Sequence, residues 1–245
     1  MQRYLLTLLL CLSCLQQAAA QRSISVLGDS YSTFEGFMSC DSNLVWYFPE
    51  NALHPSAVRD SRNGNDVKDV RQTWWHLLCT QHGYRLCANN SFSGATVCWT
   101  GYRDRQTGLP GDFQNRSFEN RARYLGCNPD IILVCGATND SWCGAPIGEY
   151  KYEDWTADDL RTFRPALAKM FVNLSLYYPN VPVVFILNSE LKPSVNESVE
   201  TICQHYSIPL VRLHDIDKQG GHPSVKGMAA MAEQVAAVLS TLPKE

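Results

Sequence analysis

The sequence has no apolar stretch long enough to cross a bilayer. Its longest, YLLTLLLCLSCL at residues 4–15, has 12 residues, where a membrane-spanning helix needs about 20. It has no run of basic residues, and its 21 Lys and Arg are outnumbered by 24 Asp and Glu. That balance argues against a nucleic-acid partner. No G-x-G-x-x-G or P-loop pattern follows any apolar run, so phosphate binding by a nucleotide fold has no loop to sit on. The G-x-S-x-G elbow and the H-E-x-x-H zinc motif are missing too. The one C-x-x-C is Cys11 to Cys14, and His82 between Cys79 and Cys87 has no second ligand pair at zinc spacing. The expectation is a protein without metal or cofactor.

What is there begins with a leader-like segment. Met1-Gln2-Arg3 supplies a positive start, the 12-residue run an apolar middle, and Ala18–Ala20 an A-x-A cleavage site. Residues 1–20 therefore read as a signal peptide cleaved near Ala20, with an exported protein over 21–245. Its removal takes one positive charge, Arg3, and moves the formal net charge from −3 to −4. Eight of the ten cysteines then remain: Cys40, Cys79, Cys87, Cys98, Cys127, Cys135, Cys143 and Cys203. Export permits disulfides, whose pairing is left open. Cys135 lies inside the apolar IILVC and reads as a buried free thiol.

Five short apolar runs alternate with helical patterns, at 23–28, 84–89, 130–136, 181–187 and 208–213. Between them lie helical stretches at 70–83, 117–126, 194–207 and 224–242, and one face formed by Leu160, Phe163, Leu167, Met170, Phe171, Leu174 and Tyr178. Thr156 and Asp159 make a capping box for that last helix, and Pro165 is expected to kink or restart it. Apolar strands alternating with helices predict one α/β domain, a three-layer α/β/α sandwich on a five-stranded, mostly parallel sheet.

Three connections are long, at about 34–68, 97–116 and 138–156, and ligands in open α/β sheets bind beyond the carboxyl ends of the strands. These loops carry Trp46, Tyr47, Trp99, Tyr102, Trp142, Tyr150, Tyr152 and Trp155. Most such aromatics pack a loop onto the core, and one or two of them suit the face of a sugar ring.

Four small blocks fall just past the carboxyl ends of four different runs. Ser30 ends SISVLGDS, Gly94 lies in NNSFSGAT, Asn139 in GATND, and His222 in GGHP before the last helix. Taken singly, each has an ordinary structural explanation: a helix cap, a tight turn, an Asx-turn, a loop histidine. Taken together on one edge of a parallel sheet, they supply a nucleophile, oxyanion donors and a general base, the set that acyl transfer requires.

GDS at 28–30, NNSFSGAT at 89–96, GATND at 136–140 and GGHP at 220–223 resemble, in order and spread, the SGNH (GDSL-type) hydrolases. The resemblance implies a flavodoxin-like fold and ester hydrolysis through an acyl-enzyme. Ser30 would attack, His222 would shuttle the proton, and the Ser30 N–H, the Gly94 N–H and the Asn139 amide would hold the oxyanion. Three positions depart from the family pattern. Tyr31 replaces the Leu of GDSL, Ala137 a Gly before Thr-Asn-Asp, and Gln219 the Asp three residues before the histidine. The expected acid is then Asp217, with Asp215 or a backbone carbonyl on Nδ1 as the alternatives.

The expected activity is hydrolysis of short acyl esters, O-acetyl foremost, on carbohydrate. Lysophospholipase or thioesterase activity on the same machinery, or a catalytically dead carbohydrate binder, are the other readings. The expected partner is a small-molecule or carbohydrate ester. Five sequons, at Asn89, Asn115, Asn139, Asn173 and Asn196, fit N-glycosylation, and an oxyanion role for Asn139 requires that it stay unmodified.

Overall fold

The computed structural model describes residues 21–52 and 64–243, so the leader-like segment and residues 53–63 of the first long loop lie outside the described residues. The chain order is β1 (Ser23–Gly28), α1 (Trp74–Gln81), β2 (Arg85–Ser91), β3 (Thr100–Arg103), β4 (Pro110–Asp112), α2 (Phe118–Arg121) and β5 (Ile131–Gly136). Then follow α3 (Thr138–Cys143), α4 (Phe163–Tyr177), β6 (Val183–Leu187), α5 (Pro193–His205), β7 (Leu210–Arg212), β8 (Lys218–Gln219), β9 (His222–Pro223) and α6 (Val225–Leu239).

The five apolar runs form one sheet in the order β2-β1-β5-β6-β7, parallel throughout. Every residue of β1, β5 and β6 is buried, the mark of a sheet covered on both faces. Strand alternation splits the core in two. Leu27, Ile132, Val134 and Phe185 meet Phe118 of α2, Leu167, Met170 and Leu174 of α4, and Val199 and Ile202 of α5. Ile24, Val26, Leu133 and Ile186 meet Trp74, Trp75 and Leu78 of α1 and Met228, Met231 and Val235 of α6. Each fully buried side chain of this size contributes on the order of 1.5–3 kcal/mol. The expected three-layer α/β/α architecture is the one observed.

Local differences have local causes. Residues 97–116 hold the β3/β4 hairpin, where a side chain on Gly101 would collide with the Phe113 ring. The 117–126 helix shrinks to Phe118–Arg121. Thr156 and Asp159 do form a reciprocal box at 2.7 and 3.3 Å, but it closes the turn leading into the 3-10 helix Asp159–Arg161 and does not cap α4, whose N-cap is Thr162. Helix α4 starts at Phe163, which puts Pro165 in its first turn. A missing N–H costs nothing there, so no kink follows.

Candidate active site

β1 ends at Gly28, where any Cβ would collide with the side chains of Ser32 and Ser91. The chain then turns into a short 3-10 helix, Ser30–Ser32, capped by Asp29 accepting the Tyr31 N–H at 3.0 Å. That turn presents Ser30, only 3% exposed, at the carboxyl edge of the sheet. Its Oγ lies 2.8 Å from Nε2 of His222, itself 4% exposed.

The imidazole is held in one tautomer. Nδ1 is 3.2 Å from the Gly220 carbonyl, which can only accept, so Nδ1 carries the hydrogen and Nε2 the lone pair facing Ser30. Burial lowers the His222 pKa to about 4, against a raising effect of the Gly220 carbonyl and with a small lowering one from Lys218. A neutral imidazole with its free lone pair on a serine hydroxyl is the arrangement for general-base activation.

Among the described residues, no carboxylate reaches Nδ1. Asp217, the expected acid, instead accepts from the Ser224 hydroxyl, and its carbonyl takes the Ser224 N–H at 3.0 Å. Ser224 in turn caps α6 through the Gly227 N–H. Asp215 is exposed and pairs with His214 at 3.0 Å. Gln219 spends its side-chain oxygen on the Asp66 N–H at 2.8 Å. The cause is the β8/β9 hairpin. Gly220 and Gly221 both have positive φ at its turn, and this bends the ring of His222 back over the Gly220 carbonyl while Asp217 points to the start of α6. Of the alternatives left open by the sequence, the backbone carbonyl is the group on Nδ1.

The loops after β2 and β5 are clamped to each other. Asn139, 2% exposed, donates from Nδ2 to the Ala95 carbonyl at 2.9 Å and accepts from the Tyr102 hydroxyl at 2.8 Å. One amide hydrogen stays unspent. The neighbouring Asp140 accepts from the Val97 N–H at 2.8 Å and the Cys98 N–H at 3.3 Å. Burial raises its pKa to about 6, against the pull of those backbone bonds. Gly94 sits in the clamped loop with φ +78. Among the described residues, neither its N–H nor that of Ser30 has a hydrogen-bond partner.

Asn65 escapes the sequence analysis, and Tyr31, Trp46, Tyr47 and Trp142 are named there without a role at the histidine. Tyr31 donates to the Gly221 carbonyl at 2.6 Å, Tyr47 to the Pro223 carbonyl at 2.9 Å, and Asn65 to the same carbonyl at 3.1 Å. Trp46 stacks on His222 with centroids 3.7 Å apart and planes 7° apart. Tyr31, Tyr47 and Trp142 approach the same ring at 5.2, 6.3 and 5.8 Å. The only signal available was loop aromatics without partners and a Tyr where the GDSL pattern has Leu.

The eight described cysteines are free thiols, with Cys135 buried as expected. Among the described residues, no three His, Cys, Asp or Glu side chains converge as a metal site, and no helix is long and apolar enough to cross a membrane. Of the five sequon asparagines, Asn89, Asn139 and Asn173 are buried and Asn196 is half-buried, which leaves Asn115 exposed.

A parallel sheet in this strand order, with a serine hydroxyl and a neutral imidazole paired at its carboxyl edge, defines an α/β/α hydrolase. A family model for GDSL-like lipase/acylhydrolases matches residues 22–239, and the chain belongs to that family. A candidate GDSL-like lipase from Bacteroides ovatus shares 49% identity over 91% of this chain and 100% of its own, with a TM-score of 0.81. A second, from Bacteroides uniformis, shares 47% identity over 91% and 98%, also at 0.81. A family two carbohydrate esterase from Clostridium thermocellum, solved with cellohexaose, shares the fold at 14% identity, covering 90% of this chain and 64% of its own with a TM-score of 0.53. Among curated proteins the comparison finds no match.

Proposed function

We propose that the protein is a serine esterase that removes short acyl groups, O-acetyl foremost, from carbohydrate, and that it acts outside the cytoplasm after loss of residues 1–20. The observation that carries the catalytic part is the 2.8 Å contact between Ser30 Oγ and a neutral His222 Nε2. Ser30 Oγ attacks the ester carbonyl as Nε2 takes its proton. The unspent N–H groups of Ser30, Gly94 and Asn139 receive the developing oxyanion. Collapse expels the alcohol, which takes the proton back from His222. A water then repeats the sequence on the acyl-enzyme.

Two features favour a short acyl group on a sugar. The reacting atoms are almost sealed, which suits acetyl better than a long chain. At the rim, Trp142 is 44% exposed beside the His222 ring and Tyr102 is 38% exposed on Asn139, and aromatic faces with polar tips suit sugar rings. A further cavity of about 710 Å³, lined by Asn43, Phe92, Phe113, Asn115, Arg116 and Tyr124, has the mixed polar and aromatic character of a glycan subsite. The carbohydrate esterase of the same fold points the same way.

The test is turnover of 4-nitrophenyl esters of increasing chain length, beside Ser30→Ala, followed by acetylated glycans. The proposal expects a burst with wild type, none with Ser30→Ala, and a steep fall beyond acetyl. A rise with chain length would assign a lipid or thioester substrate. Equal inertness of wild type and Ser30→Ala on both simple and glycan esters would assign a binding protein.

A further inference from the structure

When Ser30 attacks, the imidazole of His222 becomes an imidazolium inside an almost fully buried site. A cation there is costly unless something compensates it, and serine hydrolases commonly use a carboxylate on Nδ1 for that purpose. Here, among the described residues, Nδ1 has only the Gly220 carbonyl. Among the described residues, the titratable or charged groups around the ring are Tyr31, Tyr47 and Lys218. None of them is an anion: burial drives both tyrosine pKa values up and keeps them protonated. The Lys218 ammonium is occupied by Ser189 and Glu190, at 2.9 Å each.

One face of the ring is covered by Trp46, parallel within 7° at 3.7 Å. Indole has the strongest cation-binding face among the aromatic side chains. The placement of Trp46 makes little sense as packing alone. Its Nε1–H is buried with no partner among the described residues, a state that costs stability and that Phe would avoid. The residue is anchored from its backbone instead, where its N–H donates to Thr33 Oγ1 at 2.8 Å.

We propose that Trp46 is a positioning residue that replaces the missing carboxylate: its indole face fixes the plane of His222 and stabilises the imidazolium formed during acyl transfer. The inference rests on the Ser30–His222 reading above. In the step it assists, the Ser30 Oγ–H bond breaks and its proton passes to Nε2. Oγ bonds to the ester carbon, and the carbonyl π pair moves to oxygen. The positive charge spread over the imidazolium then lies against the indole, until the proton leaves with the alcohol.

The test is stepwise fluorination of the indole at position 46 by amber suppression, which withdraws density from the face with little change of shape. The readouts are kcat/KM for 4-nitrophenyl acetate and its pH profile. The expected result is a progressive fall reaching about tenfold at trifluorination (about 1.4 kcal/mol), with the acid limb moving to lower pH. Trp46→Phe is expected to keep or raise Tm while activity falls. Trp46→Leu separates the two possible roles. A further drop in activity with the limb still moving to lower pH supports charge stabilisation. A limb that rises toward the ordinary histidine value shows that Trp46 merely shields the ring from water, and overturns the proposal. Rates and limbs indifferent to fluorination overturn it as well. If Ser30→Ala were as active as wild type, the underlying dyad reading would fail instead, so the two failures are distinguishable.

Discussion

The hydroxyl of Tyr31 donates to the carbonyl of Gly221 at 2.6 Å, so the residue after the nucleophile holds the turn that carries the base. The bond spans 190 residues of chain and joins the end of β1 to the β8/β9 hairpin. The contact follows from one of the departures from the GDSL pattern, since Leu at this position would have no hydroxyl to give.

Tyr31→Phe keeps the ring against His222 and deletes this strap together with the hydroxyl's contact with Asn188. A buried hydrogen bond of this kind contributes on the order of 1 kcal/mol, and the Gly221 carbonyl is left without its donor. The expected result is a fall in kcat of roughly fivefold to thirtyfold with little change in KM, read on 4-nitrophenyl acetate. Activity equal to wild type would show that Tyr47 and Asn65 hold the hairpin unaided.

Asp217→Asn separates a dyad from a triad. With the carboxylate on Ser224 and not on His222, near-normal turnover is expected, against the loss of about 10⁴-fold that removing a true triad acid causes. Asp217→Ala is expected to weaken the α6 cap, at a cost of about 1 kcal/mol or roughly 2–4 °C in Tm. A drop in kcat of a hundredfold or more in Asp217→Asn would bring the carboxylate into catalysis.

The pH dependence of activity follows from burial of His222. Its base form is neutral and protonates only as pH falls through about 4, so kcat/KM is expected to stay level above about pH 5 and to fall tenfold per unit below about pH 4. An acid limb near the ordinary histidine value would mean that water reaches the ring.

Stability carries an opposite signature at Asp29, whose pKa burial raises to about 7 against the Tyr31 N–H. The folded protein keeps that proton between about pH 4 and 7, where the unfolded chain has released it. This contribution is therefore complete below about pH 4 and is lost as pH rises through about 7. Asp29→Asn removes the dependence, so its Tm relative to wild type is expected to improve from pH 4 to 8, by up to about 4 kcal/mol in stability. Parallel Tm–pH curves for the two proteins would refute the assignment.

Ala137 has φ +72, in the left-handed region where a Cβ costs about 1–2 kcal/mol. Ala137→Gly is expected to raise Tm, or at least not lower it, with Asn139 undisturbed and kcat unchanged. A loss of activity would show that the strained turn itself aims the Asn139 amide.

The five strands were legible because a parallel sheet buried on both faces writes itself as short apolar runs such as IILVCG and VVFIL. The β3/β4 hairpin was not: its strands, TGYR and PGD, pair around glycines tucked under Phe113 and show no alternation. Helix α3, TNDSWC, has the composition of a turn and is held by the clamp of Asn139 and Asp140 on the β2 loop.

The sequence by itself determined that Ser30, Gly94, Asn139 and His222 stand on one edge, because each closely follows an apolar run and parallel strands all end on the same side. Which group touches Nδ1 of His222, where Asp217 points, and which ring covers the imidazole were decided by tertiary structure alone. Those contacts depend on the curl of a two-glycine turn and on a stack between Trp46 and His222, residues far apart in the chain. Chain spacing fixes the end of a strand to within a residue or two. The direction of a hydrogen bond or the tilt of a ring is set by packing on a scale finer than that.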